Sequence, residues 1–221
     1  MSLDSMSTAS GPPSAELDLS FLRDLPLTRE AARFARDRHG SQHREADGSP
    51  FILHPLEVAS QLQRSGYPDH VVAAAVLHDV LEDTPAEETE LRSRFGEEIT
   101  ELIALVSDDP TINDDDARKE DTRERVRNAD GHALVIYAAD KISKVRELRT
   151  LTARGLARGE AETKLRRYLA CLEMLERTIP EDALVHQLRF ELEALQQLPP
   201  EPAPDQHSTA GSVLHRQPDG H

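Results

Sequence analysis

The stretch that constrains this chain most is Val71-Val72-Ala73-Ala74-Ala75-Val76-Leu77, an apolar run that passes directly into His78-Asp79-Val80-Leu81-Glu82-Asp83-Thr84. Seven consecutive apolar residues leave a helix with no polar face, so it belongs in the middle of a fold rather than on its surface. A carboxylate in such surroundings is costly unless it protonates, finds a partner or binds a metal. A His-Asp pair ending a buried run therefore points to a metal ion. Residues four apart share a helix face, which sets Glu82 near the stripe of His78 and Asp83 near that of Asp79. One continuous helix is predicted through this region, carrying ligands first and proton-handling carboxylates a turn later.

A second run of the same kind, Leu134-Val135-Ile136-Tyr137-Ala138-Ala139, leads into Asp140-Lys141. The pattern around both runs is helical. Thr28 is the expected N-cap of a helix ending at Gly40, and turn formers fill residues 41–53. His54 is the expected N-cap of a helix over residues 55–65, with Pro55 in its first position and Gly66 as its stop. Asp69 is expected to cap the central helix. Ile99, Leu102, Ile103 and Val106 recur at helical spacing, as do Leu165, Tyr168, Leu169, Leu172 and Leu175, and Leu184, Leu188, Leu192 and Leu195. These stripes are packing faces. No sustained alternation suggests a strand, so the fold class is all-α, a helical bundle with a central buried helix. Residues 114–128 are almost entirely charged and read as a solvated helix or a mobile loop over a cleft.

Length and a 38% hydrophobic content suit one domain, expected over residues 18–198 between disordered tails at 1–17 and 199–221. The formal charge of −15 argues against a nucleic-acid or membrane-surface partner, so an anionic small molecule needs a local basic cluster. Cys171 cannot form an internal disulfide and sits among leucines, as a core thiol would. No apolar run has the length of a membrane span and the first 22 residues lack a signal-peptide layout, so a cytoplasmic protein is expected.

Four side chains of ligand type remain: His54, His78, Asp79 and Asp140. Two imidazoles and two carboxylates suit a borderline divalent ion such as Mn²⁺, Fe²⁺ or Zn²⁺ and leave positions for water and a phosphate oxygen. Spacing alone does not separate a ligand from an ordinary hydrogen-bonded core histidine. The order of five blocks is more specific. They are His39-Gly40-Ser41-Gln42-His43-Arg44, Gly48-Ser49-Pro50-Phe51-Ile52-Leu53-His54-Pro55, Leu77-His78-Asp79-Val80-Leu81-Glu82-Asp83-Thr84, Phe95-Gly96-Glu97-Glu98 and Ala139-Asp140-Lys141. Together they resemble the HD-domain phosphohydrolases, most closely the (p)ppGpp hydrolase domains of the RelA/SpoT type and their small stand-alone relatives.

The resemblance, over residues 28 to about 175, implies an all-helical fold and a single Mn²⁺ held by His54, His78, Asp79 and Asp140. It implies that Glu82 and Asp83 orient or deprotonate the attacking water and that Arg44 contacts the nucleotide. Members of the family remove the 3′-diphosphate from the ribose as pyrophosphate. Arg44, Lys141, Lys144 and Arg146 form a local basic surplus for the phosphates. One departure stands out, since Lys144 takes the place where the family usually carries an Asn that helps fix the ribose. Lys144 either pairs with Asp140 one turn away or reaches past it to a phosphate, and the second is expected. Two alternatives stay beside this reading: an HD phosphohydrolase for another phosphorylated nucleotide, and a degenerate module that binds a nucleotide without cutting it.

Overall fold

A computed structural model describes residues 19–129 and 131–197, so both expected tails lie outside the described residues. After a short 3-10 helix at Leu19–Asp24, ten α-helices follow among the described residues: α1 Pro26–His39, α2 Leu53–Arg64, α3 Asp69–Leu77, α4 Val80–Asp83, α5 Glu88–Phe95, α6 Glu97–Val106, α7 Asp115–Asn128, α8 Gly131–Ala153, α9 Arg158–Thr178 and α10 Ala183–Gln196. Extended pairing among them is limited to an isolated bridge between His43 and Pro50. The all-α expectation holds.

Every residue from Val71 to Leu77 has no exposed surface, as a helix without a polar face requires. Helix α3 is walled in by α1, α2, α6 and α8, while α10 and α9 close over the far side of α8. Leu184, Leu188, Leu192 and Leu175 fill that second interface, and Cys171 is buried there with its Sγ 3.1 Å from Tyr137 Oη. The core is thus continuous along α3 and α8, the two helices whose apolar runs end in acids.

Three predicted helix starts shift, each for a visible reason. Helix α1 begins at Pro26 rather than after Thr28, and its free amides are capped from another helix. The Asp69 carboxylate accepts from Leu27 N at 3.0 Å, Thr28 N at 2.9 Å and Thr28 Oγ1 at 2.6 Å. Asp69 therefore opens α3 as its first residue while capping α1, instead of capping its own helix. Helix α2 begins at Leu53, which puts His54 inside the first turn; Pro55 still fits, because the first four amides of a helix have no internal acceptor. The predicted continuous central helix also breaks, with His78 and Asp79 forming a turn between α3 and α4. His78 Nδ1 donates to the Ala75 carbonyl at 2.8 Å and competes there with the Asp79 amide, the ordinary helical donor to that oxygen.

The charged segment forms a helix, α7, anchored by buried Thr122 and Val126. Arg125 reaches the last carbonyls of α6, with Nη1 on Ala104 O at 2.8 Å and Nη2 on Ser107 O at 2.7 Å. Arg167 of α9 pairs with Asp115 and Asp116. This is a fastened element and not a loose loop.

Candidate metal centre

The site forms where the first turn of α2, the turn between α3 and α4, and the middle of α8 meet. His54, His78, Asp79 and Asp140 come together there, each no more than 4% exposed. His54, His78 and Asp140 each place one ligand atom within 4.8 Å of the others. Asp79 completes the group, with Oδ1 3.1 Å from His78 Nε2 and Oδ2 3.2 Å from His54 Nε2. Asp140 Oδ1 lies 3.2 Å from His54 Nε2 and 3.4 Å from His78 Nε2.

Hydrogen-bond logic fixes what these atoms offer. The Nδ1 of His78 faces a carbonyl, which only accepts, so the imidazole proton sits there and Nε2 carries a lone pair. His54 Nδ1 faces Ser143 Oγ at 3.0 Å, and that hydroxyl spends its single proton on Glu57 Oε2 at 2.7 Å. Its oxygen must then accept from Nδ1, which leaves His54 Nε2 a lone pair as well. The two Nε2 atoms are 3.3 Å apart and both face ionisable carboxylates. Asp79 Oδ2 and Asp140 Oδ1 are buried without a hydrogen-bond partner. Four electron-pair donors converging without a proton among them need a cation, and the donor set fits a divalent metal. Without one, a proton is the substitute: burial pushes the His54 imidazole down, but Asp140 and Asp79 outweigh it and raise the group to about 9.

Lys144 supplies the other cation. Its Nζ lies 3.1 Å from Asp140 Oδ1 and 4.0 Å from Asp79 Oδ1. The expectation that Lys144 reaches past Asp140 is therefore not met; the short i,i+4 spacing and two buried anions draw it inward. Lys141 is also held, with Nζ 2.6 Å from Asp140 Oδ2 and stacked 4.2 Å above the Tyr137 ring. The neighbouring cations, Lys141 first, keep the Asp140 carboxyl ionised despite its burial.

Glu82 and Asp83 reach solvent at the rim. Glu82 Oε1 accepts from Asp108 N at 2.9 Å, and the Gln42 side chain holds the Asp83 carbonyl at 2.7 Å. Desolvation by the surrounding protein and then the charge of Asp79 push both carboxyls above their ordinary range. Carboxyls raised in this way suit a role in proton transfer.

A cleft of about 260 Å³ opens beside the centre, lined by residues that include Arg44, Phe51, Lys144, Glu147, Lys164 and Tyr168. Of the four basic side chains expected at the phosphates, Arg44 and Lys144 line it. Arg44 is tethered there by Glu57 at 3.4 Å and Glu147 at 3.5 Å. Lys141 is occupied by Asp140, and Arg146 is turned to Glu191 at 2.7 Å and Glu57 at 3.0 Å, so neither lines the cleft. Lys164 and Tyr168 were not anticipated as site residues. Tyr168 reads as part of a packing stripe and Lys164 carries no signal, and only the approach of α9 to α8 brings them to the cleft. Glu57 and Ser143 were missed too, although each stands three residues after a ligand, within reach of the same helix face.

A model of the HD domain matches residues 31–167, well over half of the chain. A guanosine-3′,5′-bis(diphosphate) 3′-pyrophosphohydrolase of Xenopus tropicalis is 34% identical over 135 residues, 60% of this chain and 75% of that protein. A protein of the same name from Aquifex aeolicus is 33% identical over 120 residues, but the match spans only 17% of its length. The solved structure of a metazoan ortholog of SpoT, described as hydrolyzing ppGpp, superposes with a TM-score of 0.67 over 84% of this chain and 96% of its own. At 24% identity that likeness speaks to the fold.

Proposed function

Because the chain belongs to the HD-domain family, we propose that it is a Mn²⁺-dependent phosphohydrolase that removes pyrophosphate from the 3′ position of (p)ppGpp or a closely similar nucleotide. The observation that carries this reading is the buried convergence of His54 Nε2, His78 Nε2, Asp79 and Asp140, with Glu82 and Asp83 at its rim. The named activity of the Xenopus relative, which this chain matches over three quarters of that protein, supports the substrate class. The proposed catalytic domain extends over residues 18–198, and a nucleotide substrate suits work in the cytoplasm.

When bound, a divalent ion supplies Lewis acidity toward a phosphoryl oxygen and toward the attacking water. The protein's own groups do the rest. His54, His78, Asp79 and Asp140 hold the ion. Glu82 takes the proton from water, aided by a carboxyl poised above its ordinary range, and Asp83 orients that water. Arg44, and Lys144 once drawn off Asp140, bind phosphate oxygens, Arg44 as a planar fork and Lys144 as a point charge. Phe51 and Tyr168 offer the cleft its apolar and aromatic surface.

The deciding experiment incubates the protein with Mn²⁺ and a panel of 3′-diphosphorylated guanosines, ribonucleotides and deoxyribonucleotides. Pyrophosphate release from the 3′-diphosphorylated guanosines is expected. Orthophosphate release, or turnover confined to other nucleotides, favours the second reading of an HD phosphohydrolase for a different nucleotide, to which Lys144 in place of Asn points. Asp79→Ala should lose bound metal and hydrolysis together, and full activity in that variant would remove the site.

A further inference from the structure

Glu57 sits three residues after His54 on α2, at 22% side-chain exposure, and the chemistry proposed above leaves it unused. Its carboxylate meets three partners from outside its own helix: Ser143 Oγ at 2.7 Å, Arg146 Nη1 at 3.0 Å and Arg44 Nη1 at 3.4 Å. Burial pushes the Glu57 carboxyl up, but Ser143, Arg146 and Arg44 outweigh it and hold the group below the ordinary range. It is therefore an acceptor only. Ser143 has no exposed surface and stands between this carboxylate and His54 Nδ1, at 3.0 Å from the ring nitrogen.

A hydroxyl has one proton to give. With an ionised carboxylate on one side, Ser143 donates to Glu57 and accepts from His54. The opposite assignment, Ser143 donating to the ring, leaves a serine oxygen facing a carboxylate at 2.7 Å with no proton between them. We propose that Glu57 is a positioning residue for the metal ligand His54, acting through the Ser143 hydroxyl to hold the imidazole with its Nε2 lone pair on the ion. A carboxylate drawing on the far N–H of a ligand histidine fixes the ring's tautomer and orientation and raises its basicity. Glu57 performs this at one remove, and its remaining contacts extend the chain of bonds to Arg44 in the cleft wall. The ligand imidazole and the arginine that faces the substrate are thereby anchored on one carboxylate.

This inference rests on the metal-site reading, so the test separates the two. The unsubstituted protein, Ser143→Ala and Glu57→Gln are titrated with Co²⁺, following visible d–d absorption, with a competing chelator to obtain Kd. Far-ultraviolet circular dichroism of the metal-free proteins controls for folding. Ser143→Ala removes the relay yet leaves the Glu57 pairs with Arg44 and Arg146 in place. It should retain the helical spectrum, lose roughly 10- to 100-fold in Co²⁺ affinity and shift the d–d bands. Glu57→Gln should move affinity and spectrum the same way, and if it fails to fold the serine variant alone decides. Normal Co²⁺ affinity and an unchanged spectrum in Ser143→Ala, with the unsubstituted protein binding Co²⁺, overturn the positioning role and leave the metal site standing. No Co²⁺ uptake by the unsubstituted protein overturns both.

Discussion

At the scale of single residues, the site is an excess of buried acceptors held in place by a few donors. His54 and His78 commit their Nδ1 protons to Ser143 and to the Ala75 carbonyl, so both Nε2 atoms are left for a cation. Two predictions follow from the groups around them. Glu82 is pushed up by its surroundings and by Asp79, and a general base works only when ionised. Activity should therefore fall, as pH drops, at a point above the ordinary glutamate range. Glu82→Gln should retain metal, slow turnover by roughly 10²-fold or more and erase that acid limb in a kcat/KM profile. Lys144 competes with the ion for Asp140, at 3.1 Å. Metal binding has to open this ion pair or crowd a second cation onto Asp140, so Lys144→Met should tighten Mn²⁺ binding by roughly tenfold or more in calorimetry. Unchanged affinity would show that the ammonium gives way to metal at no cost.

At the scale of elements, the candidate ligands are presented by helix ends and turns more than by helix middles. The turn at His78 and Asp79 between α3 and α4 frees both side chains from a regular helical surface and points them at α2 and α8. Helix α3 in turn is registered against α1 by Asp69, which satisfies two amides and a hydroxyl of its neighbour. Losing an N-cap side chain costs about 0.5–2 kcal/mol, and a cap that also ties two helices together belongs at the upper end. Asp69→Ala should lower stability by roughly 2 kcal/mol in urea unfolding, with an unchanged m-value. A shift of only a few tenths would mean that water replaces the cap.

At the scale of the whole molecule, the candidate metal centre gathers buried acceptors whose conflict a cation, whether metal, proton or ammonium, relieves. In the metal-free protein His54 is raised to about 9, above its ordinary value of 6.5. A raised imidazole contributes stability that is complete below the unfolded pKa and is lost as pH rises through the folded one. Thermal unfolding of chelator-treated protein should therefore show falling stability between pH 6.5 and about 9. Metal loading reverses the sign, since bound imidazoles must be neutral and protons compete with the ion. Saturating Mn²⁺ should raise Tm more at pH 8 than at pH 6, and at 100 times Kd it should add about 2.7 kcal/mol. A Tm indifferent to Mn²⁺ at both pH values would argue against a resident ion.

The local sequence by itself determined much of this protein. Two apolar runs with no polar face had to be buried, as α3 and the first half of α8 are, and the acids closing each run, Asp79 and Asp140, had to meet a cation. His54, by contrast, is a ligand-type residue at a helix start that its own surroundings do not separate from an ordinary hydrogen-bonded histidine, and the order of motif blocks along the chain is what tips that choice. Tertiary structure alone decided how the charges were shared. Asp69 capping α1, Lys144 turning onto Asp140, Arg146 going to Glu191, and Glu57 reaching Ser143 are all pairings between groups of ordinary sequence character. A side chain's periodicity says which face it occupies, whereas its partner depends on which helix packs against that face and at what height. That choice is made by the core as a whole, and it converts four scattered ligand-type residues into one site.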